Sequence, residues 1–322
     1  MRKIIILPLI FSMVAAAFIA NALWQPFFDL PKPAPVECLD MERGTYSQFQ
    51  PQPKTIFAFG LNYSKHIQEG MGLYDPEKPL VFFKHLQTLN SNTEVFTPSQ
   101  QQLMTQFELA DPILAEYIKH NHQEIPPLMD YEVEVGYLLL EDVTKAQLNN
   151  PNYVPKLGYF LVNEFTSRTP LILAGTIDRV EAFNIAKGFP GFLTYAEQYW
   201  VPNESNTQSG LCVQLTTTVN GELRQNANSS DLIRSPKQII SAVAKLYPST
   251  PMLKGDLVLT GTPEGISLKV PVWKQNLAKI VNPPSTMKFD AFASLDSRAF
   301  LKKDDTVTVR ADGLGEIKNT IQ

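Results

Sequence analysis

The sequence predicts a mixed, strand-dominated α+β fold, and three observations carry that prediction. From Thr55 onward the chain consists mostly of short apolar runs broken by Gly, Pro and Asn, the pattern of strands and turns. Proline is plentiful, at 25 residues against 16 glycines, which suits a loop-rich sheet protein better than a helical bundle. Hydrophobic residues make up 44% and charged residues 19%, enough to build a sizeable core.

The elements follow in chain order. Arg2 and Lys3 precede an uncharged run from Ile4 to Phe28, and Ala20-Asn21-Ala22 has the A-x-A form of a cleavage site. Residues 1–28 are therefore expected to be an export signal or an N-terminal membrane anchor, with a periplasmic, extracytoplasmic or membrane-anchored location. Pro31, Pro33 and Pro35 make residues 29–54 an expected stiff, Pro-rich tether. Strands are expected at Thr55–Phe59, Leu80–Phe83, Tyr131–Leu140 and Gly158–Val162, then at Val213–Val219, Leu257–Thr260 and Thr306–Ala311. The clearest helix is Pro236 to Leu246, with Ser235 as N-cap and Ile239, Ile240, Val243 and Leu246 on one face. A second amphipathic stretch runs from about Gln100 to Asn121.

Composition excludes some functions. The net charge is −4 and no Lys/Arg stripe is present, so nucleic acid is not an expected partner. Cys38 and Cys212 are the only cysteines, too few for a disulfide scaffold or a Cys-based zinc site, though an oxidising compartment would let them pair. With four histidines scattered along the chain, a metal site would rest on carboxylates.

Tyr131–Leu140 is the most informative stretch. Alternation puts Glu132 and Glu134 on one face, about 6.5–7 Å apart, together with Gly136, Leu138 and Leu140. The other face carries Tyr131, Val133, Val135, Tyr137 and Leu139, so the strand reads as buried on both sides. Two neighbouring carboxylates in a core are costly unless a cation compensates them, and oxygen ligands suit Mg²⁺, with Ca²⁺ or Mn²⁺ as options. The alternative is a strand end at the rim with solvated glutamates. In Gly60–Glu69, His66 and Glu69 are three residues apart, so on one helical turn the carboxylate would orient the imidazole as a general base; an exposed pair without function is the alternative.

Together these stretches resemble the fumarylacetoacetate hydrolase family, from Phe57 to Ile321. Gly60–Glu69 matches G-L-N-Y-x-x-H-x-x-E, and Val81–Lys84 matches V-F-x-K. Asp130–Glu134 matches D-Y-E-V-E, Gly158–Arg168 the G-Y-x-x-x-N-D-x-[ST]-A-R segment, and Lys187-Gly188-Phe189 the K-G-F run. Asn220-Gly221-Glu222 with Gln225, Leu253–Gly265 with T-G-T-P, and Gly313-Leu314-Gly315 with Asn319 complete the order.

The resemblance implies a mixed β-sandwich or β-roll, a homodimer, and a catalytic domain over residues 55–322. It implies Mg²⁺ or Mn²⁺ held by Glu132, Glu134 and, in the third position, Glu164. His66 with Glu69 becomes the general-base pair, Lys187 and Arg168 hold substrate oxygens or a developing enolate, and Tyr63 and Thr262 contact the substrate. Taken as residues alone, Lys187 and Arg168 read as surface salt-bridge partners. The implied activity is hydrolysis or lysis of C–C bonds in small dicarbonyl (oxo) acids; isomerase, hydratase or decarboxylase chemistry is the alternative, and a lapsed member acting as a binding protein is the third reading. The chain departs from the family pattern in several places. Glu164 stands where aspartate is usual, Ser167 replaces alanine, Thr169 replaces aspartate, and Leu171 falls where some members carry glutamine. Leu193–Val201 lacks a P-x-G-P run, and insertions at about 98–129 and 267–299 are expected as a lid or as surface additions.

Overall fold

A computed structural model of the chain describes residues 29–69, 74–75 and 78–322. Two sheets form its body. The nine-stranded sheet runs, in hydrogen-bonded order, Gly44–Gln48, Gln198–Pro202, Leu157–Glu164, Val133–Leu139, Leu257–Leu259, Ile56–Gly60 and Leu80–Lys84. Leu193–Tyr195 and Leu89–Asn90 attach beside Leu157–Glu164. The pairing is antiparallel except for Leu257–Leu259 on Ile56–Gly60 and Leu193–Tyr195 on Leu89–Asn90, so the sheet is mixed. A five-stranded sheet packs against it in the order Glu222–Asn228, Gln214–Val219, Thr306–Ala311, Gly315–Ile321 and Glu94–Val95.

The central strand Val133–Leu139 is buried along its whole length, as its two apolar faces require. Val133, Val135, Tyr137 and Leu139 join a core with Leu215, Val307, Val309 and Ile321 of the second sheet. The opposite face contributes Leu138 to a second core with Phe160, Phe82, Phe183 and Ala186. Gly136 lies on this second face, where a Cβ would stand 2.3 Å from the Phe160 ring across the register, so any larger residue would displace that ring. The helix Arg179–Lys187 covers the face with Ala182, Phe183 and Ala186. Asp178 caps it by accepting from the Val180 N–H at 2.8 Å.

Several expectations are changed by long-range contacts. The stretch Gln100–Asn121 is two helices, Gln100–Ala110 and Pro112–Asn121, because Pro112 cannot continue the first and Asp111 caps the second through the Leu114 N–H at 3.0 Å. The two insertions pack on each other. Phe107 meets Phe289 edge-on at 6.0 Å, and Tyr117 and His122 both reach Asp290, at 2.8 and 2.9 Å. Residues 29–54 are bound to the body rather than standing off it as a tether. Gly44–Gln48 is an edge strand on Gln198–Pro202, Phe49 sits in the second core, Glu37–Cys38 pairs with Ser209–Gly210, and Cys38 is disulfide-bonded to Cys212.

The expected location needs correction. Among the described residues no helix is long and apolar enough to cross a membrane. Residues 1–28, on which the export signal, the anchor and the membrane contact all rested, lie outside the described residues. Export and anchoring are therefore withdrawn.

The disulfide closes a long loop, since its cysteines are 174 residues apart. Replacing both with serine should lower unfolding stability by about 2–4 kcal/mol, read from the denaturant midpoint of the full chain. An unchanged midpoint would show that strand pairing alone holds residues 29–54.

Candidate active site

The site begins with register. Val133–Leu139 and Leu157–Glu164 are antiparallel with Val133 opposite Asn163 and Glu134 opposite Val162. Continuing one step places Glu132 opposite Glu164, where the Glu164 N–H donates to the Glu132 carbonyl at 2.9 Å. Residues i and i+2 share a face and cross-strand partners share it too, so all three glutamates project into one layer. Each is buried, with exposures of 3%, 1% and 1% for Glu132, Glu134 and Glu164. The solvated-rim alternative for Glu132 and Glu134 is therefore excluded. One carboxylate oxygen of each lies within 4.8 Å of the others.

Three cations are aimed at this cluster by the elements that carry them. Lys187 ends the helix Arg179–Lys187 four residues after Phe183, so the face that packs on the sheet also delivers its ammonium. Its Nζ lies 2.6 Å from Glu132 Oε2, 2.5 Å from Glu164 Oε2 and 2.9 Å from Thr166 Oγ1. Lys84 follows Leu80 and Phe82 on the buried face of its strand; its Nζ donates to the Lys187 carbonyl at 2.6 Å and stands 2.8 Å from Glu164 Oε1. Arg168 donates through Nε to Asp130 at 2.9 Å and brings Nη2 to 2.8 Å from Glu132 Oε1. Neither Lys187 nor Arg168 is a surface residue: each is only 3% exposed.

These charges set the proton affinities. Burial pushes the Glu132 carboxyl up, but Lys187 and Arg168 outweigh it and hold the group at about 2. Glu134 goes the other way: burial, then the charge of Glu164, raise its carboxyl well above the usual range. Burial draws Lys187 down, but Glu132 and Glu164 reverse that and raise it, whereas burial prevails at Lys84 and lowers it.

A backbone loop completes the floor. Gly261 has φ +90° and approaches the Phe59 carbonyl so closely that a Cβ would sit 3.0 Å from that oxygen. Glycine at this point lets the Gly261 N–H donate to Glu134 Oε2 at 2.8 Å. Thr260 and Thr262 donate to the carbonyls of Val135 and Val133 at 2.8 and 3.1 Å, and Gln225 holds Thr262 Oγ1 at 2.9 Å.

A narrow cleft opens beside the cluster at Glu132, walled by His66, Glu69, Glu132, Arg168, Lys187 and Thr262 together with apolar side chains. The short helix Ser64–Glu69 brings His66 and Glu69 to this wall. His66 Nδ1 stands 3.9 Å from Glu69 Oε2, beyond hydrogen-bond distance, and that oxygen accepts instead from the Gly265 N–H at 2.8 Å. Tyr63 is placed differently from Thr262: it is 1% exposed, it does not wall the cleft, and burial together with Glu134 raises its phenol well above the usual range. Sequence reasoning assigned no role to Lys84, Asp130, Thr166 or Gln225. The signal for Lys84 was its place two residues after Phe82, on a face that packing buries.

The donor set fits a divalent cation. Glu134 Oε1 is buried with no hydrogen-bond partner among the described residues, and burial together with the charge of Glu164 raises that carboxyl. Four carboxyl groups, counting Asp130, face the three cations Lys84, Arg168 and Lys187, and Glu134 is the one of the four with no ion pair of its own among the described residues. Hard oxygen donors in this number suit Mg²⁺, Mn²⁺ or Ca²⁺.

Comparison with known proteins bears on the family and the fold. A family model described as "Fumarylacetoacetate (FAA) hydrolase C-terminal" matches residues 55–322. The chain is 25% identical over 273 residues to oxaloacetate tautomerase YisK of Bacillus subtilis, covering 84% of this chain and 71% of that protein. It is 30% identical over 217 residues to the 4-hydroxyphenylacetate degradation bifunctional isomerase/decarboxylase of Escherichia coli, covering 67% of this chain but only 42% of that protein. Its fold matches fumarylpyruvate hydrolase from Pseudomonas aeruginosa, solved in complex with Mn²⁺ and pyruvate, with a TM-score of 0.54 at 18% identity over 92% of this chain and 99% of that one.

The charge balance makes Glu132 and Glu134 unequal. In chelator, Glu134→Gln should change stability by less than about 1 kcal/mol, because Glu134 makes no ion pair and the amide oxygen can still accept from the Gly261 N–H. Glu132→Gln should cost about 3–5 kcal/mol, because Lys187 and Arg168 lose a shared counter-charge. Denaturant titration of the two variants checks the order; equal losses would contradict the charge assignment.

Proposed function

The chain belongs to the fumarylacetoacetate hydrolase family, and on that premise we propose that it is a divalent-metal-dependent enzyme that cleaves a C–C bond in a small 2,4-dioxo acid through an enolate. The observation that carries this reading is the buried Glu132, Glu134 and Glu164 cluster, whose Glu132 lines a cleft together with His66, Lys187 and Arg168. In this reading the three glutamates hold the ion, which when bound supplies Lewis-acid polarisation of the oxo acid. Lys187 and Arg168 fix the substrate's anionic oxygens and offset the charge that develops on the enolate. His66 takes a proton from the attacking water, and the hydroxyl oxygen bonds to the distal carbonyl carbon. The bond between that carbon and its neighbour then breaks, and its electron pair passes into the enolate. His66 returns the proton to the enolate carbon, giving a carboxylic acid and a 2-oxo acid. Glu69 fastens the neighbouring loop by accepting from the Gly265 N–H, and the same oxygen stands 3.9 Å from His66 Nδ1.

Tautomerisation of an oxo acid is a second reading. It is supported by the similarity to the Bacillus subtilis tautomerase over 84% of this chain, and it would use the same enolate without water. A homodimeric assembly with residues 55–322 as its catalytic unit belongs to the same proposal, and light scattering of the full chain checks it.

Turnover of an acylpyruvate by the Mn²⁺-loaded full chain should give pyruvate and the acyl-derived acid in equal amounts by NMR, and should stop in EDTA. Loss of enol absorbance without any cleavage product would favour tautomerisation. His66→Ala should lower turnover by about 10²–10⁴-fold while Mn²⁺ affinity stays within a factor of about three. Near-normal turnover in that variant would remove His66 from the mechanism.

A further inference from the structure

The cleft has two kinds of lining. Glu132, Arg168 and Lys187 bring it charge, His66, Glu69 and Thr262 add polar groups, and the apolar side chains are Phe59, Leu61, Leu171, Phe183, Ile266 and Leu268. Both cations on the wall are already engaged: Arg168 with Asp130 and Glu132, and Lys187 with Glu132 and Glu164. Among the described residues no further lysine or arginine lines the cleft. Arg234 lies over the Phe59 ring at 5.9 Å and donates to Asn62 Oδ1 at 3.1 Å without joining the wall, while Lys65 is exposed and pairs with Glu264 at 3.1 Å. Besides Glu132, the wall carries one more acid, Glu69.

The apolar wall is also fixed in place. Asp130, the partner of Arg168, accepts from the Ser267 N–H at 2.9 Å and the Leu268 N–H at 3.3 Å, so Ile266 and Leu268 are held against the floor. Gln275 of the helix Val272–Val281 donates to the Gln68 carbonyl at 3.0 Å and the Val270 carbonyl at 2.6 Å, which secures the second insertion to the helix carrying His66. A carboxylate at the far end of a substrate would be desolvated against leucine and phenylalanine with no counter-charge, and Glu69 would repel it.

We propose that the substrate carries a single carboxylate, at its 2-oxo end, and an uncharged apolar tail that lies against Leu171, Phe183, Ile266 and Leu268. This rests on the oxo-acid reading above and narrows it to monocarboxylic acids with an alkyl or aryl acyl group. Apolar burial gives roughly a four-fold gain in affinity per methylene until the wall is covered, whereas a terminal carboxylate loses that gain and pays for desolvation.

Calorimetry on the Mn²⁺-loaded full chain with pyruvate, 2-oxopentanoate, 2-oxohexanoate and 2-oxoglutarate tests the assignment. Affinity should rise along the first three, and 2-oxohexanoate should bind at least about 30-fold tighter than 2-oxoglutarate, which is close to it in length. Equal or tighter binding of 2-oxoglutarate, or pyruvate binding with no gain on lengthening, would overturn the tail assignment and leave the oxo-acid reading standing. Failure of all four to bind would overturn both. Leu171→Arg should shift the ratio toward 2-oxoglutarate by at least ten-fold, with Leu171→Met as the control for repacking; the wild-type series decides the question if the arginine variant does not fold.

Discussion

Everything in the site follows from carrying four carboxylates into a closed core. Each buried ion costs several kcal/mol, and that cost is offset only where a counter-charge arrives with good geometry. The fold supplies these counter-charges from three different directions. Lys187 comes from the end of a helix, Lys84 from the end of an edge strand, and Arg168 from the turn that follows Glu164. The Gly261 loop exists in its left-handed form to bring a single N–H to Glu134. Removing any one of these would strand a charge, so the helix, the strand ends and the loop are tied to one another through the cluster. The one carboxyl group left without a counter-ion, Glu134, is what makes the place suited to a divalent ion.

Part of this was legible from the chain alone. Glu132 and Glu134 could be placed on one face because period-two alternation is a property of any strand, and the apolar residues around them gave burial on both sides. The helix Pro236–Leu246 was legible for the same kind of reason, since its N-cap, its proline and its apolar face are all local. Glu164 required the register of two strands, and Lys187 required knowing which helix face meets the sheet; neither is a local quantity, and only the family resemblance supplied them. Lys84 was missed although its signal was present, because a lysine closing an apolar strand is most often at a solvated end.

The chain before Thr55 misled for a physical reason. Its prolines and the polar run Gly44–Gln48 carry no apolar alternation, because that strand lies at the sheet edge with four of its five residues exposed. What holds it is pairing with Gln198–Pro202 and a bond between distant cysteines, both set by tertiary structure. The insertions were visible as extra length, but not as one layer. Their association depends on Phe107, Phe289 and Asp290 meeting across more than 160 residues of chain.

The Cys38–Cys212 bond also determines how mechanical load would cross the molecule. Tension applied at residue 29 and residue 322 would pass through the sulfur bridge and run on from Cys212, bypassing residues 39–211. Those bypassed residues include His66, Lys84, Glu132, Glu134, Glu164, Arg168 and Lys187, so the whole charge cluster lies off the force path. The Gly261 loop, Thr262 and Gln225 lie on it. In the fully extended chain the cluster residues would therefore stay inside the loop that the sulfur bridge closes, and only residues 29–38 and 212–322 would span the two points of pull.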